Sequence, residues 1–153
     1  NVSSLRRLAH VLEGVGILQH TVVPALADEV NHAGTSLDPS CILDQNVDDF
    51  PLVEVGTLVE KHEYFPNRIN FEIVNIISRD KIRARIFERG AGETLSSGTG
   101  STASASASRY NGFVDDHVEV VLDGGNLDIS WDKNNMAMLE GPSEEVYSGI
   151  WPR

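Results

Sequence analysis

Apolar and polar residues alternate along four segments of the chain, which is the pattern of half-buried β-strands. Alternation runs through residues 69–77 and resumes at 82–86, so these two segments predict a β-hairpin. A second pair, residues 117–122 and 127–131, flanks the turn sequence Asp123-Gly124-Gly125-Asn126. Asp-Gly and Gly-Gly are strong signals for a tight hairpin turn. The pattern therefore predicts two separate hairpins.

Two segments have apolar residues at helical spacing instead. Residues 4–13 predict an amphipathic helix, and residues 48–63 predict a surface helix that ends before Pro66. Between them, residues 19–39 carry turn-forming residues and little periodicity, which indicates a connection or an edge strand.

A run of small residues, Ser101 to Ser108, follows a Gly-rich loop. Alanines alternate with serines in this run, so a helix here has no wide stripe of large apolar side chains. Such a thin helix fits a crowded place inside or against a curved sheet. With further strands at 136–139 and 146–150, the sequence predicts a mixed α/β (α+β) fold. Its curved, largely antiparallel sheet wraps around a central helix at 101–109.

Length and charge narrow the classes of function. A chain of 153 residues is ordinary for one domain, and its net charge of −11 argues against binding nucleic acid or acidic membranes. The single cysteine, Cys41, excludes an internal disulfide and is expected to be buried. No apolar run approaches the roughly 20 residues of a membrane span. We therefore expect a cytoplasmic protein without a membrane partner. Because the sequence starts at Asn1 and not at Met, we also expect it to be a processed product or a fragment.

The start of the small-residue helix is a candidate anion site. Backbone N–H groups at a helix start have no intrahelical acceptor and carry the positive end of the helix dipole. Gly98, Thr99 and Gly100 lie at this start and are expected to hold a carboxylate or a phosphate.

Other chemistries fit the same residues less well. Residues 98–103 match a dinucleotide-binding pattern, but that pattern requires a continuing βαβ unit, whereas antiparallel hairpins flank it here. A phosphate-binding P-loop would need a lysine that is absent. Ser97 lacks the flanking glycines of a hydrolase nucleophile. The five histidines show no paired spacing typical of a metal site.

The string from Glu88 to Gly100 resembles the C-terminal active-site motif of the diaminopimelate epimerase family. The resemblance extends to residues 62–67 with Asn70, and to Asp123-Gly124-Gly125 and Gly141-Pro142. It covers roughly residues 36–150. It implies a family-type domain at 36–153, preceded at 1–35 by an N-terminal helix and a connecting segment.

The resemblance also implies roles for individual residues. In the family, an acid/base cysteine carries out a cofactor-independent racemisation at an amino-acid α-carbon, and Ser97 stands at its position. Glu88 is the other catalytic candidate. The resemblance implies that a substrate is bound by the following residues: Asp38, Asn70, Arg89, Gly98 and Thr99. Glu88 and Arg89 instead form an ordinary ion pair in the alternative interpretation.

Two of the matched positions depart from the family. Asp38 replaces an asparagine and Ser40 replaces a histidine, and Asp38-Pro39 is equally well explained as a turn. An aspartate at a carboxylate-binding position adds repulsion where an amide would donate a hydrogen bond. The family's other cysteine motif is not found between Asn1 and Pro39.

Three functions remain open. The first is an epimerase of lysine biosynthesis that makes meso- from LL-diaminopimelate, impaired by Ser97 and by the lack of an N-terminal lobe. The second is a non-catalytic relative or fragment that binds an amino-acid-like or dicarboxylate ligand, and the third is a different isomerase on the same fold. No metal or cofactor is expected, and association with a second lobe or with another copy of the chain is left open.

Overall fold

All of the described strands belong to one sheet. The computed structural model describes residues 23–25 and 40–152. The eight strands are β1 (Val23–Ala25), β2 (Ser40–Ile42), β3 (Phe71–Ser78), β4 (Lys81–Glu88), β5 (Gly92–Thr94), β6 (His117–Leu122), β7 (Gly125–Trp131) and β8 (Ala137–Glu140). The helices are α1 (Leu52–Glu60) and α2 (Gly98–Tyr110), with a short 3-10 helix at Val47–Asp49.

The sheet is largely antiparallel, as predicted. Its order is β1-β2-β3-β4-β6-β7-β8, and β5 pairs with β4 beside this path. Only the β2–β3 and β4–β6 pairs are parallel. The predicted mixed fold with a largely antiparallel sheet is therefore confirmed.

Both predicted hairpins are present. In the first, β3 and β4 pair antiparallel, with Ser78 opposite Lys81 at the turn end. In the second, Leu122 of β6 pairs with Gly125 of β7, which leaves a two-residue turn. Gly125 has φ +127°, a value that side-chain-bearing residues rarely adopt.

Helix α2 is buried, and this confirms the prediction drawn from its small side chains. Its alanines and most of its serines are buried, and it contacts strands from β1 to β8. A Cβ at Gly100 would lie 2.8 Å from Ile86 Cδ1, so the sheet approaches the helix too closely for even a methyl group. Small residues allow the sheet to pack around α2 in this way.

The two faces of the sheet build two apolar cores. One core joins α1 and the 3-10 helix to β3 and β4, and Phe71, Ile73 and Phe87 are its sheet residues. The other lies on the α2 side and includes Ile86 and Ile129. Neither described helix is long and apolar enough to cross a membrane.

Two predictions need correction and two cannot be judged. Residues 146–150 do not form a strand: Val146 and Ile150 are 87% and 97% exposed, and the segment pairs with no described strand. The predicted helix at 48–63 begins only at Leu52, because the 3-10 helix and Pro51 precede it. The predicted helix at 4–13 lies outside the described residues, as does the segment at 19–39 apart from β1.

Candidate active site

Ser97 caps the start of α2 and leaves two amides available. Its backbone is extended, with φ −148° and ψ 120°, and its Oγ accepts a hydrogen bond from Gly100 N at 3.2 Å. Serine is among the preferred residues at this position because its hydroxyl satisfies an N–H that the helix cannot. The amides of Gly98 and Thr99, both exposed residues, have no acceptor within the helix. The start of α2 therefore has the geometry of an anion site.

The turn after β4 brings Glu88 to Ser97. Glu88 ends β4, and the chain returns along it as β5, where Gly92 pairs with Glu88. Gly90 and Gly92 have φ +78° and +83°, values that glycine adopts without strain. Ser97 Oγ donates a hydrogen bond to Glu88 Oε1 at 2.6 Å. The two residues predicted to be catalytic are thus in direct contact.

Thr99 lies at the edge of this pair. Its Oγ1 is 3.4 Å from Ser97 Oγ, at the outer limit of a hydrogen bond. A carboxylate at the start of a helix is stabilised by the helix dipole. Glu88 therefore suits the position it occupies beside Ser97.

Arg89 is held by its backbone rather than by Glu88. Its N–H donates to Asn70 Oδ1 at 2.9 Å, and its Nη1 donates to the carbonyl of Asn67 at 3.4 Å. Within the described part of the chain no ion pair joins Glu88 to Arg89, and the predicted site roles of both residues stay predictions. A guanidinium has five N–H donors, so one long bond leaves exposed Arg89 with donors for a carboxylate.

Asn70 contacts the backbone of the turn that carries Arg89. Its side-chain oxygen is engaged by the amide of Arg89, so this atom orients the turn. The predicted role of Asn70 in binding a substrate is untested and stays a prediction.

Ser40 and Glu72 form a buried polar pair on β2 and β3. They are opposite each other in the parallel register, both are fully buried, and Ser40 Oγ donates to Glu72 Oε2 at 3.4 Å. Asp38, the other predicted residue of this segment, lies outside the described residues. Cys41 is buried as expected, and its burial, followed by the charge of Glu72, raises the pKa of its thiol. Cys41 is therefore a poor candidate for a reactive thiol.

Glu60 is a contact residue of the site that the sequence did not reveal. It ends α1, its side chain is buried, and its Oε1 accepts from Gly90 N at 2.8 Å and from Arg68 Nη1 at 3.1 Å. A glutamate between helical apolar residues is typical of a solvated face, so no local pattern distinguishes it. Among the described residues, no cluster of His, Cys, Asp and Glu side chains is arranged to hold a metal ion.

Known proteins similar to this chain were found by sequence and by structure. The diaminopimelate epimerase of Magnetococcus marinus is 49% identical over 104 residues, which are 68% of this chain and 37% of that protein. The diaminopimelate epimerase of Heliobacterium modesticaldum is 37% identical over 142 residues, which are 92% of this chain and 50% of that protein. The chain thus spans half or less of the length of these two relatives.

Among solved structures, a Bacillus anthracis phenazine biosynthesis protein of the PhzF family aligns with 76% of this chain and 37% of its own. The TM-score is 0.49 and the sequence identity is 18%. The profile of the family described as diaminopimelate epimerase matches residues 34–146, which include β2 to β8 and both described helices. Because this match covers most of the chain, and because the Magnetococcus marinus protein is 49% identical over 68% of it, the chain belongs to the diaminopimelate epimerase family.

Proposed function

We propose that this chain carries one half of an isomerase site that acts on the α-carbon of an amino acid of the diaminopimelate type. It works without a cofactor, in lysine biosynthesis in the cytoplasm, and it is impaired because a hydroxyl stands where the family has a thiol. The observation that carries this proposal is the 2.6 Å hydrogen bond from Ser97 Oγ to Glu88 Oε1 at the start of α2.

Binding of a carboxylate is proposed to use the start of α2 together with Arg89. The amides of Gly98 and Thr99 lie at the positive end of the helix dipole, and Arg89 is an exposed residue that directly follows Glu88, which contacts Ser97. Guanidinium pairs with carboxylate through two parallel hydrogen bonds, which sets orientation as well as affinity. A substrate carboxylate held there brings its α-carbon near Ser97.

Proton transfer is the weak part of the site. Epimerisation needs one group to remove the α-proton and another to return a proton on the opposite face. A free thiol has a pKa of about 8.5, which a helix N-terminus lowers, whereas a serine hydroxyl is a weak acid that acts only with help from a base. The described residues supply Ser97 and Glu88 on one side. We propose that the group for the opposite face comes from a second lobe or a second chain.

A second candidate is a binding protein that retains the anion site without catalysis. The observation that favours it is the double engagement of the Ser97 hydroxyl, which donates to Glu88 and accepts from Gly100. The capping bond uses a lone pair of Oγ, and the hydroxyl proton is already donated to Glu88, so Ser97 presents no proton to a ligand in this arrangement. In this case the ligand is an amino acid or a dicarboxylate, and no proton is removed from its α-carbon.

The test is α-proton exchange in D₂O with LL- and meso-diaminopimelate. We expect wild-type chain to incorporate deuterium slowly or not at all, because loss of one general acid/base group costs a factor of about 10² to 10⁴. Ser97→Cys restores a thiol at the same place and is expected to raise exchange from one stereoisomer only.

Two controls separate the candidates. Ser96→Cys places a thiol on the preceding residue, which is exposed, and should give no α-proton exchange. Arg89→Ala in the Ser97→Cys background should weaken ligand binding in calorimetry. Ligand binding without exchange in Ser97→Cys would favour the binding protein. If Ser97→Cys shows no ligand binding and no exchange, both candidates are contradicted.

A further inference from the structure

The turn that carries Glu88 and Arg89 is fastened by a neighbouring loop that links α1 to β3. Two of the contacts come from that loop: Asn70 accepts from the amide of Arg89, and the Asn67 carbonyl accepts from the Arg89 guanidinium. The third comes from the end of α1, where Glu60 accepts from the amide of Gly90. Of the three, Glu60 is the one whose side chain is buried on a helix.

Glu60 has a carboxylate in an unfavourable place, at the C-terminal end of a helix and buried. It is the last residue of α1, and a carboxylate at a helix C-terminus is unfavourable because the dipole is negative there. It is also buried, and a buried carboxylate is expensive unless it is paired and hydrogen-bonded. Both costs are offset only by contacts outside the helix, namely Gly90 and Arg68.

Arg68, the side-chain partner of Glu60, has an unusual backbone conformation. Its φ is +58°, in the left-handed region that is unfavourable for a residue with a Cβ. This backbone conformation accompanies the contact of its guanidinium with Glu60 at 3.1 Å. The Arg68 guanidinium and the backbone amide of Gly90 thus donate to the same buried carboxylate oxygen, Glu60 Oε1.

We propose that Glu60 is a positioning residue that holds the turn from Glu88 to Ala91 so that the Glu88 carboxylate stays against residue 97. This inference rests on the proposed function, since it concerns the same site. The path is short: Glu60 holds Gly90 N, the turn is closed by the bond from Ala91 N to the Glu88 carbonyl at 3.1 Å, and Glu88 reaches Ser97.

A thiol placed at position 97 reports the position of Glu88 without any substrate. In Ser97→Cys the rate of alkylation by iodoacetamide follows the thiolate fraction. The nearby charges are the Glu88 carboxylate, which raises the thiol pKa, and the positive end of α2, which lowers it. Cys41 is buried and does not contribute in the folded chain.

Two substitutions at position 60 then separate positioning from packing. Glu60→Gln keeps an oxygen acceptor for Gly90, whereas Glu60→Met has similar length and no such acceptor. We expect Glu60→Met to release Glu88 and to lower the pH midpoint of alkylation by about half a unit or more. Glu60→Gln should leave the midpoint unchanged. Glu54→Gln, on an exposed glutamate of the same helix, is the matched control.

Amide exchange of Gly90 gives a second measurement on the same proteins. The expected result is faster exchange at Gly90 in Glu60→Met and unchanged exchange in β6 and β7. If Glu60→Met does not fold, Glu60→Asp takes its place, because its shorter carboxylate does not reach the amide. A folded variant without the acceptor that keeps the midpoint of the Ser97→Cys parent overturns the proposal, as does an equal shift in Glu60→Gln and Glu60→Met. Since alkylation needs no substrate, a chain that never exchanges an α-proton contradicts the proposed function but not this assignment.

Discussion

The hydroxyl of Ser97 makes two contacts of opposite polarity. It accepts from Gly100 N at 3.2 Å and donates to Glu88 Oε1 at 2.6 Å. The first contact stabilises the start of α2, and the second fixes the carboxylate at the site. Structure and candidate chemistry therefore share one atom, and a substitution at this residue affects both.

Replacing Ser97 with alanine should measure the first contact. We expect Ser97→Ala to lower the free energy of unfolding by about 1 kcal/mol, the usual cost of losing an N-cap hydroxyl, with a further loss because the Glu88 carboxylate loses its donor. Urea unfolding followed by circular dichroism measures the change. Ser96→Ala, at an exposed neighbour, should be neutral. Equal stability of both variants would show that the cap contributes nothing.

Among the elements, those set by local periodicity were predictable and those set by distant partners were not. Both hairpins follow from alternation and turn residues, and α2 follows from its small side chains. Residues 146–150 include large apolar side chains, but such residues do not tell whether a partner strand exists. Strand β5 was missed because only the return of the chain along β4 creates it.

The candidate site also has a part that was predictable from local sequence and a part that depends on distant contacts. Glu88, Ser97 and the start of α2 are close in sequence and form one motif, so the sequence predicted them together. Glu60 is 30 residues from Gly90, and its burial arises only when α1 packs against β4. No local pattern carries that information.

The contact between α1 and β4 gives a prediction at this scale. A Cβ at Gly56 would lie 2.4 Å from Phe87 Cγ, inside van der Waals contact. Gly56→Ala should therefore destabilise the chain by about 1–3 kcal/mol through overpacking, even though alanine favours a helix by up to about 1 kcal/mol. Thermal unfolding compares it with Val53→Ala, an exposed position on the same helix. A rise in stability for Gly56→Ala would show that Phe87 moves freely.

At the scale of the whole molecule, the two tryptophans lie in different surroundings. Trp131 is 9% exposed on β7, and the Arg109 guanidinium carbon lies 4.8 Å from its ring centroid. Trp151 is 90% exposed on the segment after β8. The described structure thus buries one indole in the core that surrounds α2 and leaves the other in solvent.

Fluorescence quenching should distinguish them. We expect Trp151→Phe to remove the emission that iodide quenches most easily and to leave stability within about 0.5 kcal/mol of wild type. Trp131→Phe should lower stability by about 1–2 kcal/mol, because it leaves a cavity and weakens the cation–π contact. Protection of Trp151 from iodide in the isolated chain would mean that its segment packs against something.

The enclosure of α2 has a consequence for the order of folding. The hairpins β3–β4 and β6–β7 are local, but the β4–β6 pair that joins them sets Lys81 against Glu119, across a connection that contains α2 itself. Contacts this distant in sequence form slowly because the loop must close before they contribute any stability. A helix of small residues, in turn, has little apolar surface with which to nucleate a core. The rate-limiting event should therefore be the joining of two preformed hairpins around the nascent helix, which makes the β4–β6 seam the place where folding speed is set.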